Sequence, residues 1–190
     1  MKVSEIFYSI QGEGANSGTP MVFVRLAGCN LRCDFCDTDY AFDGGRELDE
    51  AAVLKEVAGY PAKWVCVTGG EPMLQDVGRL IDMLKGAGRS VQVETNGTVF
   101  QETNCDWLVL SPKRGKPPVE EMLERANEIK LVVDSPEILE RACDLEPWGS
   151  AHSVQPVSNR SDVTSLCVEF VKANPRWRLS VQVHKLIAIK

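Results

Sequence analysis

Three cysteines crowd one short segment, Cys29-Asn30-Leu31-Arg32-Cys33-Asp34-Phe35-Cys36, in a C-x3-C-x2-C spacing. Thiolates this close in the chain can converge on one metal centre. A structural zinc site takes four ligands, and no fourth cysteine or histidine lies nearby, so zinc would depend on a remote ligand such as Cys66 or Cys105. Three ligands on a [4Fe–4S] cluster instead leave one iron open to an external molecule. A second concentration of unusual residues is Gly69-Gly70-Glu71-Pro72. Its glycines let backbone come close to a ligand, and Glu71 offers a negative acceptor to an ammonium group. Read alone, the same segment is a tight turn leading into a helix, with Glu71 favoured near the positive helix end.

These segments need a scaffold, and the periodicity supplies one. Short β-rich runs are predicted at 3–8, 21–26, 64–68, 90–95, 107–111, 129–133, 153–155 and 178–184. Helical spacing of apolar residues separates several of them, at 76–85 (Val77, Leu80, Ile81, Leu84) and at 162–172 (Val163, Leu166, Cys167, Phe170, Val171). Asp49 opens a helix over 50–58, and Pro136 opens one running through Cys143. Strands alternating with helices imply a largely parallel sheet with right-handed crossovers. The stretch from Asn96 to Asp106 is too short and polar for a crossover helix, so fewer helices than strands are expected. A full eight-unit barrel takes about 250 residues, so 190 residues predict an incomplete α/β barrel in a single domain, 1–190. In such an array the carboxyl ends of the strands share one rim, where chemistry is placed. Cys29, Gly69-Gly70, Asn96-Gly97, Ser111-Pro112-Lys113, Gln155 and His184 all fall at such ends.

Twenty-one basic against 27 acidic residues leave a net charge of −6. That balance argues against a nucleic-acid or anionic-membrane partner. No apolar run approaches the roughly 18 residues needed to span a bilayer, and residues 1–11 hold no signal-peptide core. A cytoplasmic location is expected, and there an odd set of seven cysteines favours metal or redox chemistry over disulfides.

The cysteine triplet together with Gly-Gly-Glu-Pro resembles the radical S-adenosylmethionine (SAM) enzymes. Ser9-Ile10-Gln11-Gly12-Glu13-Gly14, Cys36-Asp37-Thr38, Glu94-Thr95-Asn96-Gly97, Ser111-Pro112-Lys113 and Gln182-Val183-His184-Lys185 extend the likeness over nearly the whole chain to the 7-carboxy-7-deazaguanine synthase family. That resemblance implies a partial barrel of the radical SAM type. It also implies conversion of 6-carboxy-5,6,7,8-tetrahydropterin to 7-carboxy-7-deazaguanine with loss of ammonia, on the route to queuosine. In that family a 5′-deoxyadenosyl radical abstracts hydrogen from C6, and SAM is regenerated. By the same resemblance Cys29, Cys33 and Cys36 hold the cluster, and Thr38 offers its hydroxyl to Mg²⁺. Phe35, Cys36, Asp37, Gly70, Glu71, Ser111, Pro112, Lys113 and Gln155 meet SAM. Ile10, Gln11, Gly12, Arg25, Thr68 and His184 meet the pterin. An electron donor such as a flavodoxin or ferredoxin, and a homodimer, are implied likewise. The planar donor fork of Arg25 suits a carboxylate. Family members often end in a proline that reaches the substrate, whereas this chain ends Ile187-Ala188-Ile189-Lys190, which argues against a C-terminal contact with the pterin.

Two rival readings use the same thiols: a glycyl-radical-enzyme activase, and a non-catalytic zinc-binding module. The remaining cysteines call for less. Cys66 and Cys167 read as small buried hydrophobes, and Cys105 and Cys143 receive no role. His152 has no visible partner and is expected in solvent. Trp107, Trp148 and Trp177 are assigned to core or interface.

Overall fold

The computed structural model describes residues 1–190. Nine strands are formed: β1 (Lys2–Ile10), β2 (Pro20–Leu26), β3 (Arg46–Glu47), β4 (Trp64–Gly69), β5 (Ser90–Thr95), β6 (Trp107–Leu110), β7 (Glu128–Val133), β8 (Ala151–Pro156) and β9 (Arg178–Leu179). The helices are α1 (Glu50–Ala58), α2 (Gly78–Gly86), α3 (Glu120–Arg125), α4 (Glu137–Glu140), α5 (Ala142–Leu145), α6 (Ser161–Ala173) and α7 (Val183–Leu186). Local chemistry starts them as expected: the Asp49 carboxylate accepts the Ala52 amide at 2.8 Å and caps α1. None is long and apolar enough to cross a membrane.

The strands form one sheet in the order β3-β1-β2-β4-β5-β6-β7-β8-β9. From β2 through β9 every neighbouring pair is parallel, while β1 runs antiparallel to β2 and β3. The two edges do not pair, so the barrel is incomplete. No helix joins β5 to β6, where residues 96–106 cross directly.

Alternation along each strand sorts the side chains. Val22, Val24 and Leu26 of β2, Val65 and Val67 of β4, Val91 and Val93 of β5, and Ile129, Leu131 and Val133 of β7 face the helices and make the main core. The opposite phase carries Arg25, Thr68, Glu94, Lys130 and Gln155 into the concave interior, where they line a cavity. Below them Met21, Phe23 and Cys66 fill the lower interior as a small apolar cluster with Phe7 and Trp64. The loop 11–19 between β1 and β2 closes the floor. Its amides at Gly14 and Ala15 donate to Ser180 Oγ (2.8 Å) and to the Glu128 carboxylate (3.1 Å), and Asn16 Nδ2 donates to Gln92 Oε1 (2.8 Å).

Three expectations are corrected here. The last strand is only two residues long: after Leu179 the chain leaves the sheet, because Ser180 and Gln182 turn inward to Gln155 and Glu13. His184 therefore sits on the helical turn α7 rather than at a strand end. The helix expected from Pro136 through Cys143 is two short turns, α4 and α5. His152 is buried, not solvated. It lies on the helix side of β8, with Nε2 2.7 Å from the Trp148 carbonyl and its ring tilted against buried Trp177.

Candidate active site

One cavity of about 400 Å³ opens at the carboxyl ends of the strands. The three cluster-loop cysteines, Phe35, Asp37 and Thr38 form one wall, and residues of β1, β2, β4, β5, β7 and β8, with Ser111 after β6, form the others. Ile10, Gln11, Gly12, Arg25, Thr68, Gly70, Ser111, Lys113, Gln155 and His184 all line it. Of the residues expected at the site, Glu71 and Pro112 alone do not, both being buried behind the wall.

All seven cysteines are free thiols, and the triplet is half-buried. Burial pushes the Cys29 and Cys33 thiols up, with nearby Lys113 working against that at Cys33. The only three His, Cys, Asp or Glu side chains whose ligand atoms all lie within 4.8 Å of one another are Glu13, Asp37 and His184. Cys29, Cys33 and Cys36 are not such a group, so at least one pair of their sulfurs stands more than 4.8 Å apart, against the edge of about 3.8 Å of a tetrahedral zinc–thiolate site. Cys66 and Cys105 do not line the cavity, so neither supplies a fourth zinc ligand. A larger centre, held by three thiolates and open on one side, fits this donor set.

The Gly-Gly-Glu-Pro turn packs directly on the cluster loop. Gly69 has φ +140°, and a Cβ there would stand 2.1 Å from the Leu26 carbonyl oxygen; at Gly70 it would stand 2.0 Å from that of Gly28. Backbone, not a side chain, is what this turn presents to the cavity. The Glu71 carboxylate points the other way and accepts from Met73 N (2.9 Å), Thr95 Oγ1 (2.7 Å) and Asn96 N (2.7 Å). Three of its roughly four acceptor positions are thus taken within the protein, and in this structure the carboxylate does not line the cavity.

The floor carries charges that the sequence reading did not single out. Lys130, on β7, places Nζ 2.5 Å from Glu13 Oε2 and 3.9 Å from Glu94 Oε1. Glu94 also accepts from Gln11 Nε2 (2.9 Å), Gln92 Nε2 (3.1 Å) and Thr68 Oγ1 (3.2 Å). Burial by itself would raise the Glu13 carboxyl, but the Lys130 ammonium overrides it and holds it at about 2. Burial likewise opposes charge on Lys130, yet Glu13 and Glu94 keep its ammonium protonated well above the usual lysine range. A lysine inside a strand buried on both faces was the available signal. Near the rim, Asp37 accepts from Gln182 Nε2 (2.9 Å) and Lys185 Nζ (2.8 Å).

On the β1 side, Arg25 Nε donates to Glu5 Oε1 at 2.9 Å, and Tyr40 Oη donates to the same oxygen at 2.8 Å. Lys190 Nζ lies 2.5 Å from Glu5 Oε2. Ile189 and Lys190 both line the cavity. The residues after α7 thus reach the cavity wall, where Ser9 Oγ donates to the Lys190 carbonyl and ties it to β1.

The sequence profile of the radical SAM superfamily matches residues 23–145. A 7-carboxy-7-deazaguanine synthase from Bacteroides thetaiotaomicron is 43% identical over 189 residues, covering 100% of this chain and 98% of that one. The chain belongs to the 7-carboxy-7-deazaguanine synthase family of radical SAM enzymes. Family members from Burkholderia multivorans and Escherichia coli K12 are 40% and 35% identical, each comparison covering 98% of both chains. The crystal structure of QueE from Escherichia coli superposes with a TM-score of 0.86 at 33% identity, over 96% of this chain and 94% of that one. Membership makes the protein a lyase, and the matched structure has the partial barrel described above.

Proposed function

We propose that this protein converts 6-carboxy-5,6,7,8-tetrahydropterin to 7-carboxy-7-deazaguanine with loss of ammonia. One observation carries the reading: the thiol triplet and a polar, charge-paired floor face each other across a single closed-bottomed cavity. A reduced [4Fe–4S] cluster with SAM on its open iron would supply the 5′-deoxyadenosyl radical that takes hydrogen from C6 of the pterin. The protein's own residues bind, orient and exclude. Cys29, Cys33 and Cys36 hold the cluster. The backbone of Gly69 and Gly70, next to Cys29, takes the amino end of SAM, while Ser111, Lys113 and Gln155 form the polar wall along it.

The pterin would lie on the floor. Lys130 keeps Glu13 an acceptor-only carboxylate, and with the Glu94 oxygens beside it the floor suits the N–H edge of a pyrimidine ring. Arg25 meets the substrate carboxylate in place of its present partner Glu5. The loop 11–19 seals the bottom against water. Thr38, beside Asp37 on the cavity wall, offers an oxygen ligand to Mg²⁺, a hard cation that prefers such donors. A flavodoxin- or ferredoxin-like reductant, a cytoplasmic location and a homodimer belong to this reading through the family.

Anaerobically reconstituted protein given SAM, reductant and carboxytetrahydropterin should release ammonia and form the deazapurine. Failure on this substrate, with radical transfer to a glycine of a partner protein, would favour the activase reading instead. In the same assay Arg25→Gln should lower kcat/KM about 10- to 100-fold, mostly through KM, since hydrogen bonds to a charged group are worth roughly 1.5–3 kcal/mol. Arg25→Lys should recover part of this, because one point charge replaces a two-pronged contact. Thr38→Val, nearly isosteric, should remove most of the stimulation by Mg²⁺ while leaving metal-free turnover unchanged. Equal Mg²⁺ response in that variant would remove Thr38 from the cation site.

A further inference from the structure

The buried Glu71 carboxylate is part of a hydrogen-bonded tie between three loops. Asn96, whose amide donates to Glu71 Oε2 at 2.7 Å, uses its side-chain Nδ2 to donate to Asn30 Oδ1 at 3.1 Å. Asn30 Nδ2 in turn donates to Thr98 Oγ1 at 2.7 Å, and Thr98 N returns to Asn96 Oδ1 at 2.9 Å. On the other side the Glu71 amide donates to the Gly28 carbonyl at 2.8 Å. The turn after β4, the turn after β5 and the loop bearing Cys29 are thereby joined, and Asn30 is the residue next to the first cluster cysteine.

We propose that Glu71 and Asn30 are positioning residues which, acting through Asn96, hold the Cys29 loop against the Gly69–Gly70 turn and so set the first cluster thiolate relative to the backbone that takes the amino end of SAM. This rests on the reading of the cavity as the cluster and SAM site. A carboxylate suits the task because it accepts three donors at once, whereas a glutamine would turn an N–H toward one of them. Glu71 has no cation in contact, and burial pushes its carboxyl up from the usual range, with its three donors working against that. Asn30 is exposed as a residue, so its substitution leaves the core alone.

The test uses anaerobically reconstituted wild type, Asn30→Ala, Asn30→Asp, Glu71→Gln and the Asn30→Ala/Glu71→Gln double variant, each with iron and sulfide counted. Two quantities are read: the dissociation constant for SAM, and the electron paramagnetic resonance spectrum of the reduced cluster with and without SAM. Asn30→Ala and Glu71→Gln should keep the cluster, bind SAM about three- to tenfold more weakly, as a loosened hydrogen-bonded tie predicts, and show a shifted SAM-bound spectrum. The double variant should be no weaker than the weaker single, because the residues act in one chain. Asn30→Asp keeps the acceptor for Asn96 Nδ2 and should regain most of the affinity.

Wild-type affinity and spectrum in Asn30→Ala would overturn the proposal. So would additive losses in the double variant, which would mean that Glu71 acts independently of Asn30. If Glu71→Gln fails to fold, the Asn30 pair decides alone. Iron-loaded wild type that shows no spectral response to SAM would overturn the reading of the site, and it would do so before any variant is compared.

Discussion

Anaerobically purified Cys33→Ala protein will be colourless and without turnover, whereas Cys143→Ser will carry iron and work like wild type. The contrast follows from where each sulfur stands. Cys33 is half-buried on the cavity wall with Cys29 and Cys36, while Cys143 is exposed on α5, away from the cavity. A cluster left with two thiolates is not retained, and no other cysteine or histidine on the loop can substitute. Cys33→Ala removes no core atom, so its thermal unfolding should stay near that of cluster-free wild type, within about 0.5 kcal/mol. Loss of colour without loss of fold then separates ligand from structure. Cys66→Ala and Cys167→Ala should show the converse, a cluster present on a less stable protein, because both side chains are fully buried in apolar surroundings. Stoichiometric iron and sulfide in Cys33→Ala, or a Cys143→Ser enzyme just as dead, would refute this division of the thiols. Stoichiometric zinc and no iron in wild type would refute the cluster itself.

The second large effect is expected at Lys130. Lys130→Met should destabilise the fold by about 3–5 kcal/mol, the usual range when one partner of a buried ion pair is removed. Glu13 and Glu94 would then face each other across the floor without their counter-charge. The pH dependence gives the sign. With Lys130 present, the Glu13 carboxyl is held at about 2 against a usual 4.5. Its contribution to stability is therefore complete above pH 4.5 and is lost as pH falls toward 2. Without Lys130, burial prevails and the folded-state carboxyl rises above its unfolded value. Glu13 then opposes folding at neutral pH, and the variant should recover stability on mild acidification, where wild type loses it. Urea unfolding between pH 3 and 7 reads this directly. Adding Glu13→Gln should return part of the stability, since it removes an unpaired charge. For the reaction, Lys130→Met should raise KM for the pterin far more than the dissociation constant for SAM. A pH profile with the same shape as that of wild type would show that the pair is not coupled as its geometry implies.

Much of this was legible in the chain because it is local. The thiol spacing, the glycine pair, the Asp49 cap and the phases of the helical stripes at 76–85 and 162–172 are set within a few residues, and each reappears close to its expected place. The strand phase was legible as well: Ile129, Leu131 and Val133 alternate with Lys130 on β7, which fixes Lys130 on the face away from the helices. What went unread was the identity of its partner, 117 residues away on the floor loop.

The same division explains the corrections. Local sequence placed Glu71 at a turn, but two of the three donors on its carboxylate are Thr95, at the end of the next strand, and Asn96 just after it, and they hold it behind the cavity wall. His184 and Lys190 belong to a segment that leaves the sheet only because Ser180 and Gln182 find partners on β8 and the floor loop. By itself the sequence determined the donor set, the turns and the inward-facing positions, since covalent spacing and backbone periodicity dictate them. Tertiary structure alone decided which inward groups neutralise one another and which stay open to a ligand. Those pairings form only when the sheet curves and brings distant strands within hydrogen-bond range, where loss of water makes every unpaired charge costly.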